Sequence, residues 1–233
     1  MKTIGIIGGL SWPSTITYYQ VINELVTRRL GGLRGPKIVV IQADLHQITE
    51  WRLSGQVDKI RQQFHKYITS LQSAGADFYL VACNTYQFAA EKLPVDIPML
   101  HMADSLGRRI NKEGYKRIGF LGSSTTLTGQ FIIGPLRSKY GLDVLIPDAH
   151  QRAGLERVIM DELTKNIILP ESREMFRQVI YFLVDQGAEL IILGCTEIGL
   201  LVREEDSPVP VMDTSLVHAE DAVDKAMTLC REL

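Results

Sequence analysis

Cysteine is scarce in this chain, three residues in 233, and no two of them stand as Cys-x-x-Cys. That argues against a disulfide framework or a zinc site and suits a compartment that keeps thiols reduced. Charge of one sign is also lacking. The 25 Lys and Arg nearly balance the 27 Asp and Glu, for a formal net charge of −2, so there is no general attraction for nucleic acid or an anionic membrane. No apolar run approaches the roughly 20 residues that cross a bilayer. The opening Met1-Lys2-Thr3-Ile4-Gly5-Ile6 runs into a strand-like segment without a signal-peptide pattern, and the expectation is a cytoplasmic protein. The five histidines, His46, His65, His101, His150 and His218, lack metal-ligand spacing. Gly5-Ile-Ile-Gly8-Gly9 lacks the G-x-G-x-x-G spacing and any following Gly-Lys-Ser/Thr, so it reads as a strand-to-helix turn rather than a phosphate loop.

What is present is a globular composition, 45% apolar and 22% charged, in a length that fits one large domain or two small ones. One stretch occurs twice. Residues 73–85 and 185–197 both run through Gly-Ala, an acidic residue and an apolar strand-like segment to a cysteine, Cys83 or Cys195, followed by polar residues. The two cysteines lie 112 apart (195 − 83), as do Pro98 and Pro210, while Gly5 and Gly8 precede Gly119 and Gly122 by 114. Glycine, proline and cysteine are hard to interchange, so these landmarks mark an internal duplication. Cys230, near the end, has no counterpart and reads as incidental.

Short apolar runs alternate with helical spacing. Strands are expected over 3–8, 37–42, 77–82, 98–102, 117–122, 142–146, 189–194 and 210–214. Helices are expected after Ser11 or Ser14, over 57–74, 87–92, around Arg108 and Arg109, over 155–164 and 173–186, and at the C-terminus. Residues 44–55 read as a connecting loop with at most a helical turn. The expected fold is α/β: two similar parallel-sheet α/β domains related by pseudo-twofold symmetry, with the active site in the cleft between them. Residues 1–98 plus 209–233 form the first domain and 99–208 the second.

Each cysteine ends a strand just before a helix, a position that lowers a thiol pKa from about 8.5 toward neutrality. A thiolate and a thiol on opposite faces of a carbon form a base and an acid, removing a proton from one face and returning one to the other. Charge building on a substrate carboxylate needs donors. Asn84, Thr85 and Thr196 directly follow the cysteines, and Ser11, Ser123 and Thr126 follow the glycine turns, with Thr125 an equal candidate beside Thr126.

Ala-Cys83-Asn84-Thr85 and Gly194-Cys195-Thr196-Glu197-Ile198, with Gly8-Gly9-Leu10-Ser11-Trp12, resemble the aspartate/glutamate racemase family over essentially the whole chain. The resemblance implies a racemase that needs neither pyridoxal phosphate nor metal. It also implies Cys83 and Cys195 as the acid/base pair, and Asn84, Thr85 and Thr196 as holders of the α-carboxylate or amino group. Ser11, Ser123 and Thr126 are implied in the same pocket, with Arg52 and Lys165 as candidates for a side-chain carboxylate. Glu197 is expected to orient Cys195 or the substrate amino group, or to cap the following helix. His218 is expected to make a structural hydrogen bond. Where relatives often carry Ala-His, this chain has Tyr86-Gln87, which puts the substrate's side chain in question more than the reaction. The alternatives are hydantoin racemisation, isomerisation of a small dicarboxylate, and a non-catalytic small-acid binding protein. The expected partners are a small amino-acid substrate and, through the region of Tyr18 and Tyr19, a second copy of the chain, with neither nucleic acid nor membrane.

Overall fold

The structure, a computed structural model, describes residues 1–228; Cys230 lies outside them. The chain divides into two compact units, residues 1–101 with 218–233 and residues 102–217. Each unit is built on a parallel sheet.

In the first unit, β1 (Ile4–Gly8) leads into α1 (Trp12–Leu30), and β2 (Ile38–Gln42) is followed by α2 (Leu45–Leu53) and α3 (Val57–Ser73). Then come β3 (Phe78–Val81) and the single turn α4 (Gln87–Ala90). The sheet order is β2-β1-β3, extended by a parallel bridge from Tyr79 to Met99. The segment expected as a strand over 98–102 is therefore reduced to one bridge. Residues 44–55, expected as a loop, form the nine-residue helix α2. The starting signal is Asp44, whose carboxylate accepts from the backbone N–H groups of His46 and Gln47 and so satisfies two of the unpaired donors at a helix start. α3 buries Ile60, Phe64, Ile68 and Leu71, one stripe at helical spacing. Each such side chain contributes about 1.5–3 kcal/mol when fully removed from water.

The second unit begins with α5 (Met102–Glu113) and β4 (Arg117–Leu121). After α6 (Ser124–Thr128) and α7 (Ile133–Ser138) comes β5 (Asp143–Leu145), then α8 (Ala149–Asp161) and α9 (Pro170–Asp185). β6 (Leu190–Leu193), the single turn α10 (Ile198–Leu201), β7 (Val211–Asp213) and α11 (Thr214–Met227) complete the described chain. The sheet order is β5-β4-β6-β7. Pro170 opens α9 three residues before the expected start at 173, as suits a residue whose missing N–H costs nothing at a helix start. Residues 209–217, grouped with the first domain from sequence, belong to the second unit because β7 pairs with β6.

The duplication extends to individual hydrogen bonds. Tyr79 N–H donates to Pro98 O at 3.1 Å and Ile191 N–H to Pro210 O at 2.9 Å, each pair displaced by 112 residues. Ala82 N–H donates to Ile7 O and Gly194 N–H to Leu121 O. Gly75 and Gly187, at φ +88 and +94, close α3 and α9 in the left-handed region that glycine enters without penalty. A Cβ on Gly5 would meet Leu71, and one on Gly119 would meet Leu183, at 3.1 Å in both cases. The two glycines thus admit equivalent leucines, 112 apart, onto equivalent strands.

Candidate active site

Both cysteines stand where expected, just past the carboxyl ends of β3 and β6. They are almost equally buried, Cys83 8% and Cys195 9% exposed. The helices that follow are only four residues long, α4 and α10. Single turns supply little of the macrodipole that a longer helix would bring to a thiol.

In the first unit, Ser11 and Asn84 are buried. Ser11 precedes α1 without a side-chain capping bond, and its hydroxyl lies 3.2 Å from that of Ser14. The turn before it is held by Thr15, whose Oγ1 accepts from Gly9 N–H at 2.8 Å and donates to Ser11 O at 3.0 Å. Gly9 sits at φ +74 against the backbone of Ala43, where a Cβ would stand 2.4 Å from a carbonyl oxygen. Only glycine fits both constraints.

Tyr86 and Gln87, the departure from the expected motif, are both buried behind Cys83. Gln87 Nε2 donates to Val81 O at 3.0 Å and Cys83 O at 2.9 Å, so its amide holds the strand end that carries the cysteine. Tyr86 packs between Phe64 and Phe88. Its hydroxyl lies 3.4 Å from that of Thr49 and takes a hydrogen bond from Arg52. Burial pushes the Tyr86 hydroxyl above its usual range, opposed by Thr49 and Arg52; the nearby Cys83 charge adds to the rise. Arg52, expected as a substrate ligand, is thus placed in one cluster with Tyr86 and Cys83.

In the second unit, Cys195 Sγ donates to Glu197 Oε2 at 2.7 Å, and the Thr196 hydroxyl donates to the same oxygen at 3.1 Å. Glu197 is buried, makes no side-chain capping bond to α10, and meets Cys195 and Thr196 through Oε2. Ser123 caps α6, accepting from Thr126 N–H, and the Ser123 and Thr126 hydroxyls lie 3.0 Å apart. Lys165 is exposed at the end of a short 3-10 turn over Leu163–Lys165.

Asp213 was not singled out from sequence, although an acidic residue ending a strand was visible in Val211-Met-Asp. Its Oδ1 accepts from the backbone N–H and hydroxyl of Ser215. Its Oδ2 lies 2.0 Å from where a Cβ on Gly199 would stand. Burial raises its pKa, Ser215 and Leu216 oppose the rise, and the Glu197 charge adds to it. Gly199 is the counterpart of Gln87 (199 − 87 = 112), so where the first unit carries an amide side chain the second leaves room for the Asp213 carboxyl.

His218 makes the expected structural bonds. Its Nε2 lies 2.9 Å from Leu100 O and its Nδ1 2.9 Å from Tyr18 Oη. A carbonyl can only accept, so Nε2 carries the proton and Nδ1 accepts from Tyr18. Tyr18 is consequently part of the core, and of the expected interface pair only Tyr19 is exposed. Among the described residues, no group of three His, Cys, Asp or Glu is arranged to hold a metal ion, and no helix is long and apolar enough to cross a membrane.

A family model described as Asp/Glu/hydantoin racemase matches residues 7–222. The chain is similar in structure to a Yersinia pestis protein assigned as an Asp/Glu racemase, with 39% identity and a TM-score of 0.87 over 97% of this chain and 100% of that one. It is similar also to an aspartate racemase homologue from Pyrococcus horikoshii OT3, with 27% identity and a TM-score of 0.81 over 97% and 99% of the two chains. The broad specificity amino-acid racemase RacX of Bacillus subtilis (strain 168) is 24% identical over 171 residues, 71% of this chain and 72% of RacX.

Proposed function

The chain belongs to the Asp/Glu/hydantoin racemase family, and from that premise we propose that it interconverts L- and D-aspartate or glutamate, with Cys83 and Cys195 as acid and base on opposite faces of the α-carbon. The observation that carries this reading is the equivalence of the two cysteines, each just past the equivalent strand of its own unit with a polar residue next to it. One thiolate removes the α-proton, and the electron pair left on carbon delocalises into the α-carboxylate. The other thiol then returns a proton to the opposite face. The two sulfurs finish with their roles exchanged, so the next turnover runs in the reverse direction. Neither pyridoxal phosphate nor metal enters these steps.

Asn84, Thr85 and Thr196, with Ser11, Ser123 and Thr126, are assigned as donors to the α-carboxylate or amino group. Arg52 and Lys165 are assigned to a side-chain carboxylate. The hydrogen bond from Arg52 to Tyr86 favours a second reading within the same chemistry, in which Arg52 supports the cysteine and the substrate side chain need not be acidic. Reduced thiols suit a cytoplasmic site, and Trp12, Ile16 and Tyr19, all about half exposed on α1, supply an apolar stripe for a homodimer. Sedimentation at micromolar concentration tests the dimer, and a monomer removes it.

The deciding experiment incubates the protein in deuterium oxide with L- and D-amino acids and 5-substituted hydantoins, scored by loss of the α-proton signal and by optical rotation. Exchange with aspartate or glutamate supports the first reading, exchange across many side chains the second, and exchange with hydantoins alone a different substrate class. Full racemisation by either Cys83→Ser or Cys195→Ser sinks the two-cysteine mechanism, as does strict dependence on added pyridoxal phosphate or metal.

A further inference from the structure

The chain passes between its two units twice, at residues 101–102 and 217–218. The first passage leads from the bridge segment ending at Leu100 into the start of α5 at Met102. The second lies inside α11, whose residues 214–217 belong to one unit and 218–227 to the other. That helix crosses without a break. Thr214 and His218 are four residues apart and therefore neighbours on one face of α11, and each reaches a backbone carbonyl of its own unit. Thr214 Oγ1 donates to Leu193 O at 2.9 Å, and His218 Nε2 to Leu100 O at 2.9 Å. Leu193 ends β6, two residues before Cys195. Leu100 N–H in turn donates at 2.7 Å to Tyr79 O, which lies in β3, four residues before Cys83. A line of hydrogen bonds thus runs from one cysteine-bearing strand to the other through a single turn of helix. Thr214, His218, Leu100 and Leu193 are all buried, so water does not compete for these bonds. Tyr18 fixes the imidazole from its other side, donating to Nδ1 at 2.9 Å with the two rings edge to face.

Resting on the two-cysteine reading above, we propose that His218 and Thr214 are positioning residues for racemisation: they tie both passages into one junction and so keep the two thiol-bearing strands in a single alignment. Neither residue takes or gives the α-proton. Two groups that serve one carbon need close alignment, since a displacement of about 1 Å costs on the order of a hundredfold in rate. A thiol whose partner has drifted can still remove the α-proton, exchange it with solvent and return one to the same face. Inversion fails before exchange does.

Two measurements test the junction. In deuterium oxide with L-aspartate and L-glutamate, before product accumulates, deuterium in the D-product counts inversion and deuterium in the recovered L-substrate counts return to the same face. His218→Leu, which removes the donor to Leu100 O, is expected to raise the ratio of same-face exchange to inversion about tenfold. Thr214→Val should move it in the same direction from the other end. A protein that has merely lost stability loses both rates in proportion and leaves the ratio where it was. His218→Gln, whose amide keeps a donor for Leu100 O, is expected to restore most of the wild-type ratio. The second measurement is amide hydrogen exchange of substrate-free protein, followed on peptides covering 95–106 and 214–222. Both peptides should exchange about tenfold faster in His218→Leu, with β1 and β4 within about twofold of wild type as the check on folding. Protection of 95–106 that survives His218→Leu, or an unchanged ratio in a variant that still turns over, overturns the proposal. Racemisation by the wild type with an unchanged ratio in all three variants counts against this inference alone. A wild type that does not racemise counts against the activity alone, and the paired loss of protection then decides the junction.

Discussion

The ring of Phe120 occupies the space into which a side chain at Gly194 would project: its Cε1 lies 1.8 Å from the position of a Cβ. Gly194 directly precedes Cys195, so this packing sets the end of β6. The corresponding residues of the first unit are Ile6 (120 − 114) and Ala82 (194 − 112). One half pairs the larger residue with glycine and the other pairs the smaller with alanine. Gly194→Ala is expected to destabilise by about 1–3 kcal/mol through overpacking. Adding Phe120→Ile should recover part of that loss, with a favourable coupling of about 0.5–3 kcal/mol in a double-mutant cycle. Recovery stays incomplete because Leu121 O also lies 2.4 Å from the Cβ position. Urea unfolding of the four proteins is the measurement, and strict additivity would refute the compensation.

A carbonyl near the end of each cysteine-bearing strand is satisfied by a different side chain in each unit. Val81 O accepts from Gln87 Nε2, and its counterpart Leu193 O accepts from Thr214 Oγ1 at 2.9 Å. Gln87→Leu preserves bulk but removes the donor to both Val81 and Cys83. A cost of about 1–3 kcal/mol is expected for each buried carbonyl left without a partner. Thr214→Val should lose about half as much as Gln87→Leu, since only one carbonyl is deprived. Thermal unfolding compares them, and a harmless Gln87→Leu would show that water replaces the amide.

The duplicated frame was legible in sequence because glycine, proline and cysteine are constrained by backbone geometry or chemistry and leave countable landmarks. Gly5 with Gly119, Cys83 with Cys195, and Pro98 with Pro210 therefore placed the equivalent strands and both thiols. The departures had less local causes. α2 was hidden because its start depends on Asp44 turning its carboxylate back to two N–H groups, in a stretch with little apolar periodicity. Residues 209–217 were misassigned because strand pairing, rather than any local pattern, joins β7 to β6. Arg52 meets Tyr86, Tyr86 meets Thr49 and Phe64, and Asp213 meets Gly199 through contacts between segments separate in sequence. Glu197 was visible because it lies two residues from Cys195, although its contact with the sulfur was not.

Tyr79 ties the middle of the first sheet to the end of α4, its hydroxyl lying 3.2 Å from Ala90 O. Burial pushes its pKa from 10.0 up to about 12. For this acid, raised by folding, the stabilisation is complete below the unfolded value and is lost as pH rises from 10.0 toward about 12. Tyr79→Phe is expected to lose about 1 kcal/mol at neutral pH with the hydrogen bond, and to lose less stability than the wild type on going to pH 11. Parallel urea curves at pH 8 and 11 test it; an unchanged difference between the proteins at the two pH values would rule out this linkage.

Asp213 follows the same sign with a different consequence. Burial is the largest cause of its raised pKa, and the charge of Glu197 adds to it, while Ser215 and Leu216 oppose it. The fold therefore favours the protonated carboxyl. That contribution is complete below the unfolded value of about 3.8 and disappears as pH rises through the folded value. Asn keeps the shape and an oxygen to accept from Ser215, but it cannot ionise. Asp213→Asn is expected to match the wild type or fall slightly below it at pH 4, and to gain relative stability with rising pH until the wild-type carboxyl is fully ionised. Asp213→Ala gives up the acceptor for Ser215 as well, so it should share the pH trend while starting from a lower baseline. Melting temperatures of the three proteins from pH 4 to 8 decide the matter. A constant penalty for Asp213→Asn over that range would mean that burial does not control this carboxyl and that its bonds to Ser215 alone hold it in place.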